Sequence, residues 1–73
     1  MTLLQLKYVL TVAQTGTISD AAKELFIAQP SLTSAIKDLE TELGIEIFNR
    51  TRKGVTVTTE GEEFLSYARQ VIE

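Results

Sequence analysis

Apolar residues recur at helical spacing over four stretches of the chain and alternate with polar ones over two. Leu3, Leu6, Val9, Leu10 and Ala13 share one face of a first helix, and Leu4, Tyr8 and Val12, four apart, form another. A helix apolar on two faces needs two neighbours. Thr2 is its candidate N-cap and Gly16 its candidate C-terminal stop. A short second helix follows, capped by Thr17 or Ser19, with Ala21, Ala22 and Leu25 inward. Its paired alanines permit a close helix crossing, and Ile18 ahead of Ser19 has the place of a hydrophobic staple. Phe26-Ile27-Ala28 then reads as an apolar, half-buried turn.

The third helix is predicted from Gln29 or Pro30 to Leu43, since proline suits a first helical turn and Gly44 supplies a stop. Leu32, Ala35, Ile36, Leu39 and Leu43 mark its buried stripe. Steps of about 100° put Pro30, Thr33, Ser34, Lys37 and Thr41 on the opposite side. Ile45–Asn49 and Val55–Thr58 read as two short strands, joined by Thr51-Arg52-Lys53-Gly54 with Gly54 free to take positive φ. Thr58 or Thr59 caps a last helix whose first turn holds Glu60, Glu62 and Glu63, as the helix dipole prefers. Phe64, Tyr67, Ala68 and Val71 form one face of it, widened by Leu65 and Ile72 to about 160°. The helical pattern continues to Glu73 without a stop, as expected of a chain cut from something longer.

These elements predict a mainly α winged helix-turn-helix: three helices, a two-stranded wing and a C-terminal helix. Seventy-three residues, 44% of them hydrophobic, suit one small domain. Residues 1–58 form its body and 59–73 the last helix. With neither Cys nor His, the common metal ligands, the usual general base and any disulfide are missing. No cofactor is expected in this stretch, and no enzyme. The glutamates of the last helix are explained by dipole electrostatics better than by a metal or acid–base cluster. No apolar run approaches the roughly 18 residues of a membrane span, and the first twenty residues lack a basic n-region. A cytoplasmic protein is expected.

The net charge of -3 runs against nucleic-acid binding, which draws affinity from cations at phosphates. Its distribution answers most of that objection. Leu25–Lys37 contains no acid and one cation; Ile47–Thr59 contains no acid and three cations, Arg50, Arg52 and Lys53. Those two segments carry +4, leaving -7 on the rest of the chain. Charge this segregated gives one face that attracts phosphate. The third helix therefore offers an acid-free N-terminal end, the end that a helix in a DNA major groove presents.

Candidate contacts follow from side-chain chemistry. Gln29 can bond bidentately to an adenine edge or be a solvated residue at a helix start. Pro30 and Ser31 can touch a thymine methyl or a phosphate, or simply begin the helix. Thr33 and Ser34 turn hydroxyls outward, and Lys37 lies one turn on, where a DNA backbone would pass. Arg50 sits at the base of the wing, where pairing with Glu46 is the alternative. Arg52 and Lys53 occupy its tip, within reach of a minor groove, where such cations read width, or else form a solubilising turn. Phe26, Phe48 and Phe64 align with apolar stripes and are expected in the core. A winged-helix protein-interaction module is the competing function, favoured by the acidic balance and disfavoured by the basic wing.

Gly16, Ser19, Ala21-Ala22, Leu25, Gln29-Pro30-Ser31-Leu32-Thr33, Ile36, Leu39-Glu40, Leu43-Gly44, Phe48, Arg50 and Val57-Thr58 with Gly61 occur together in this order and spacing. In that combination the chain resembles the N-terminal DNA-binding domain of LysR-type bacterial transcriptional regulators over essentially its whole length. The resemblance implies sequence-specific binding of a near-palindromic duplex operator. It also implies a linker helix that pairs two subunits, tetramers as a further assembly of the full-length protein, and a small-molecule effector held by a C-terminal domain absent here. Gln29 is then a groove residue and Arg50 a backbone anchor. Thr33 stands where the family usually has serine, and Ser34 where arginine is common, which shifts readout towards Gln29 and the wing. For pairing, the simplest arrangement packs Phe64, Tyr67 and Val71 inward and leaves Leu65, Ala68 and Ile72 to the second subunit.

Overall fold

In a computed structural model describing residues 1–72, the chain folds as α1 (Leu3–Thr15), α2 (Ile18–Leu25), α3 (Gln29–Leu43), β1 (Phe48–Thr51), β2 (Gly54–Val57) and α4 (Thr59–Ile72). The expected continuation at Glu73 lies outside the described residues. Local chemistry sets most of the boundaries. Thr2 and Gln5 form a capping box on α1, each side chain bonding the other's backbone N–H. Gly16 ends α1 in the left-handed region and returns its N–H to the Val12 carbonyl. Thr17, of the two candidate caps, starts α2 by accepting from the Asp20 N–H. Ile18 is therefore the first residue of α2 rather than a staple ahead of it. Gly44 closes α3 at positive φ, and Thr58 caps α4 by accepting from the Gly61 N–H.

The helix-turn-helix pair is α2 and α3, with α1 and α4 packed behind it, and the core gathers side chains from all four helices and the root of the wing. Val9, Val12, Ala21, Ala22, Leu32, Ile36, Leu39, Ile47 and Leu65 form one buried cluster. No polar side chain is buried among the described residues, so this small core is wholly apolar. The α3 stripe is as predicted, with Leu32, Ile36 and Leu39 buried and Ala35 and Leu43 half-buried.

Three packing expectations need correction. In α1 the buried stripe is Leu6, Val9 and Val12, while Leu3 and Leu4 stand more than half exposed. The two apolar faces expected of α1 therefore merge into one centred on Val9. Phe26, expected in the core, is 94% exposed. It is the residue that ends α2 at φ 59°, and this left-handed step turns its side chain outward while half-buried Ile27 takes the inward place. In α4 the inward and outward sets are exchanged in part, with Phe64 and Ile72 keeping their expected sides. Leu65 and Ala68 are fully buried against the core, whereas Tyr67 and Val71 are 62% and 59% exposed and Phe64 is half-buried. Leu65 and Ala68 thus cannot form a surface for a second subunit; of the residues first assigned to one, Ile72 alone remains outside. Both rows of that 160° stripe fit a helical wheel, and the closeness of α1 decides between them.

The first strand begins later than predicted, at Phe48 instead of Ile45, and the second one residue earlier, at Gly54. They pair antiparallel as Phe48↔Val57, Asn49↔Thr56, Arg50↔Val55 and Thr51↔Gly54, leaving Arg52-Lys53 as a two-residue turn. Ile45 to Ile47 are spent elsewhere: the Ile45 N–H bonds the Glu40 carbonyl and the Ile47 N–H bonds the Glu40 carboxylate. Ile47 accepts in turn from the Thr58 N–H, which locks the strand root to the start of α4.

Candidate nucleic-acid interface

In α3, Gln29, Pro30 and Ser31 of the first turn and Ser34 and Lys37 of the side opposite Leu32, Ile36 and Leu39 stand in solvent, with Thr33 half-buried. Ala28, the N-cap, offers no side-chain cap and Pro30 has no N–H, so the Gln29 N–H is the group that the first turn of α3 leaves without a helical partner. Ser31 and Leu32 are the first residues to donate backwards, both to the Ala28 carbonyl.

The wing lies beside this helix. An open groove is lined by Thr33, Ile36, Lys37 and Glu40 of α3, Ile18 of α2, and Phe48, Arg50 and Val55 of the wing. A second hollow adjoins it, bounded by Thr17, Ile18 and the wing from Arg50 to Val55. Arg50 borders both, so the two form one surface from the recognition-helix side of α3 to Arg52 and Lys53 at the wing tip. All four cations on this surface are exposed, and none is in an ion pair among the described residues. The Glu46 alternative for Arg50 is not realised.

Backbone contacts fix the wing's position. The Val55 N–H bonds the Gly16 carbonyl at 2.9 Å, tying β2 to the end of α1. Gly54 sits against that same carbonyl at φ 145°; a Cβ there would overlap the oxygen and press the Thr17 methyl at 3.0 Å. The structure thus brings Thr33, Lys37 and Arg50 into one groove and joins Arg52 and Lys53 to it, while Gln29, Pro30, Ser31 and Ser34 extend the exposed surface along the first turns of α3. Sequence reasoning missed the apolar walls from Ile18 and Val55. It also missed Glu40, whose acid sits inside an otherwise basic groove. No periodicity announces these, because they depend on where the wing folds back.

The sequence pattern of bacterial regulatory helix-turn-helix proteins of the lysR family matches residues 3–62. The chain belongs to the lysR family. This LysR-type chain is 43% identical over 72 residues to the HTH-type transcriptional regulator TfdT of Cupriavidus pinatubonensis, covering 99% of itself and 32% of that protein. It is 44% identical over 73 residues to the regulator BsdA of Bacillus subtilis, covering 99% of itself and 25% of that protein. The chain therefore spans a quarter to a third of the length of these relatives. Among solved structures, it superposes on a CbnR DNA-binding domain in complex with DNA with a TM-score of 0.95 at 38% identity, covering 99% of this chain and 83% of that one. The BenM DNA-binding domain bound to catB site 1 DNA gives 0.94 at 39% identity, with 99% and 81% covered. At these identities the winged helix-turn-helix of LysR-type regulators is the fold of this LysR-type domain. Its helices, too, include none long and apolar enough to cross a membrane, among the described residues.

Proposed function

We propose that this domain binds duplex DNA sequence-specifically for a cytoplasmic transcriptional regulator, with α3 in the major groove and the wing at the backbone and adjacent minor groove. One observation carries the reading: Thr33 and Lys37 of α3 share a groove with Arg50, and that groove runs on to Arg52 and Lys53. Cations on two separate elements then meet phosphates on either side of an inserted helix. Gln29, Pro30, Ser31, Thr33 and Ser34 supply the base-edge and nearby backbone contacts. The role requires no reaction and no cofactor in this domain; a small-molecule effector belongs to a C-terminal domain outside this chain.

Two subunits pair through α4 on a near-palindromic operator, presenting recognition helices to successive major grooves about 34–36 Å apart. The pairing face consists of the residues α4 leaves outside, Tyr67, Val71 and Ile72. Ile72 borders a surface cleft with Leu4 and Tyr8 of α1, which a second copy would cover.

Replacing Gln29 with alanine is expected to lower discrimination at one base pair by about 1–3 kcal/mol. Binding measured on a selected site, on its single-base variants and on random duplex DNA tests this. Equal loss on all of them would assign Gln29 to the backbone. Arg50→Ala, Arg52→Ala and Lys53→Ala are each expected to shrink the log–log salt slope by about 0.9 for a lost phosphate contact. The wing should also prefer narrow, A·T-rich flanks. If the triple substitution changes neither affinity nor slope, the wing does not touch DNA.

A further inference from the structure

The groove contains one residue that electrostatics alone would not place there. Glu40 stands on α3 one turn beyond Lys37 and lines the same groove as Lys37 and Arg50. A bare acid on a phosphate-binding surface opposes binding. Its hydrogen bonds explain its presence. Glu40 Oε2 accepts from the Ile47 N–H at 2.6 Å and from the Phe48 N–H at 3.3 Å, while the Glu40 carbonyl accepts from the N–H groups of Gly44 and Ile45. One residue of α3 thus holds four N–H groups of the connection that leads into β1. Ile47 is fully buried, and Phe48 is the first residue of the wing. At the other side of the wing, Val55 is held by the Gly16 carbonyl of α1.

We propose that Glu40 is a positioning residue for DNA binding: its carboxylate fixes the wing at a set angle to α3, so that Arg50, Arg52 and Lys53 meet the duplex that α3 has entered. The inference rests on the DNA-binding reading above and adds a coupling between its two parts. Three pins hold the wing: the Gly16 carbonyl under β2, Thr58 on the Ile47 carbonyl at the strand root, and the Glu40 carboxylate under β1, and of these three the last ties it to α3. Losing the Glu40 carboxylate leaves the Ile47 and Phe48 N–H groups without an acceptor and releases β1 from α3, so that the wing can pivot on its remaining holds at Thr58 and Gly16. The cations at the tip then spread over many positions, and few of those meet phosphate.

Glu40→Gln and Glu40→Ala separate this role from simple charge. Both remove the negative charge, which by itself strengthens attraction to DNA in each. Glutamine keeps a carbonyl oxygen that can accept from the two N–H groups, and alanine does not. Positioning therefore predicts opposite signs: Glu40→Gln binds a random 30-base-pair duplex at least as tightly as the parent, and Glu40→Ala binds it more weakly. A double-mutant cycle gives the decisive readout. In the parent chain, Arg52→Ala with Lys53→Ala should shrink the salt slope by about 1.8, at about 0.9 for each contact. In the Glu40→Ala background the same pair should shrink it by less than about half of that, because the wing is already displaced. Thermal melts followed by circular dichroism establish that each variant is folded at the assay temperature. Should Glu40→Ala not fold, Glu40→Asp replaces it in the cycle, since it keeps the charge and withdraws the acceptor by one methylene. Equal slope changes in both backgrounds, or equal affinities for the glutamine and alanine variants, would overturn the positioning role and leave DNA binding intact. A parent slope unmoved by the wing substitutions would instead overturn the placement of the wing itself.

Discussion

Leu65→Glu is expected to abolish folding rather than to separate subunits. Leu65 is fully buried among Val9, Val12, Leu39 and Ile47, on the side of α4 that faces α1. Truncating such a leucine to alanine costs about 2–5 kcal/mol, from lost transfer energy and the cavity left behind. A carboxylate adds the penalty of a charge with no partner, itself about 3–5 kcal/mol. The core offers that charge nothing, because every residue of the buried cluster is apolar. A domain of this size has roughly 4–11 kcal/mol of total stability, so the combined loss consumes most or all of it. Leu65→Ala should remain folded with a melting temperature lowered by roughly 10–30 °C. Tyr67→Glu and Val71→Glu change exposed positions and should leave the melt nearly unmoved, within about 0.5 kcal/mol. Their effect should appear in sedimentation across micromolar to millimolar concentrations, as a weakened dimer. A Leu65→Glu variant that melts like the parent would show that α4 does not pack by this face.

The contrast between those substitutions marks where sequence reasoning about this chain stops. Capping chemistry is local, so Thr2, Gly16, Gly44 and the proline-started α3 could be read off neighbouring residues. The α3 stripe was equally legible, since Leu32, Ile36 and Leu39 leave a wide polar face and admit one orientation. In α4 the apolar residues cover about 160° of the helix, and several rotations bury a similar area. Which rotation occurs depends on α1, more than forty residues away. The same non-local choice misplaced Leu3, whose position in the apolar pattern is good but which lies beyond the end of the core.

Phe26 failed for a different reason. Its hydrophobicity suggested burial, yet the backbone required of the tight turn overrode it. A left-handed residue after an eight-residue helix points its side chain away from that helix's packed face. The wing was legible as a hairpin because Gly54 and the alternating residues around it are local signals. Its starting residue was not, because Glu40 and Thr58 take the hydrogen bonds of Ile45–Ile47 from outside the hairpin. For the candidate interface, residue types and the acid-free segments single out Lys37, Arg50, Arg52 and Lys53, all four of which are exposed. Their meeting in one groove required knowing that the wing docks on the end of α1.

Gly61→Ala is expected to destabilise the domain, against the usual direction for glycine in a helix. Gly61 lies in the first turn of α4, and alanine in a helix interior is ordinarily favoured over glycine by about 1 kcal/mol. Here a Cβ would overlap the Ile47 carbonyl oxygen and lie 3.0 Å from the Ile47 carbonyl carbon and Cα. All three obstructing atoms are backbone, so no side-chain rotation relieves them. Ile47 cannot retreat easily either, since its side chain is fully buried and its N–H and C=O are held by Glu40 and Thr58. Overpacking of this kind costs about 1–3 kcal/mol, and more where the obstacle is fixed backbone. The net expectation is a loss of at least about 1 kcal/mol, lowering the melting temperature by roughly 5–15 °C. Relief must come from displacing Ile47, so amide exchange should accelerate first at Phe48 and Thr58, and the wing's share of the DNA salt slope should fall with it. Gly44→Ala is the reference for strain without collision: Gly44 has positive φ but nothing within 4 Å of its added methyl. It should lower the melt by about 1–2 kcal/mol through backbone strain while leaving exchange at Phe48 at the parent rate. A Gly61→Ala variant as stable as the parent, or more so, would mean that the close approach of α4 to the wing root is not a feature of this fold.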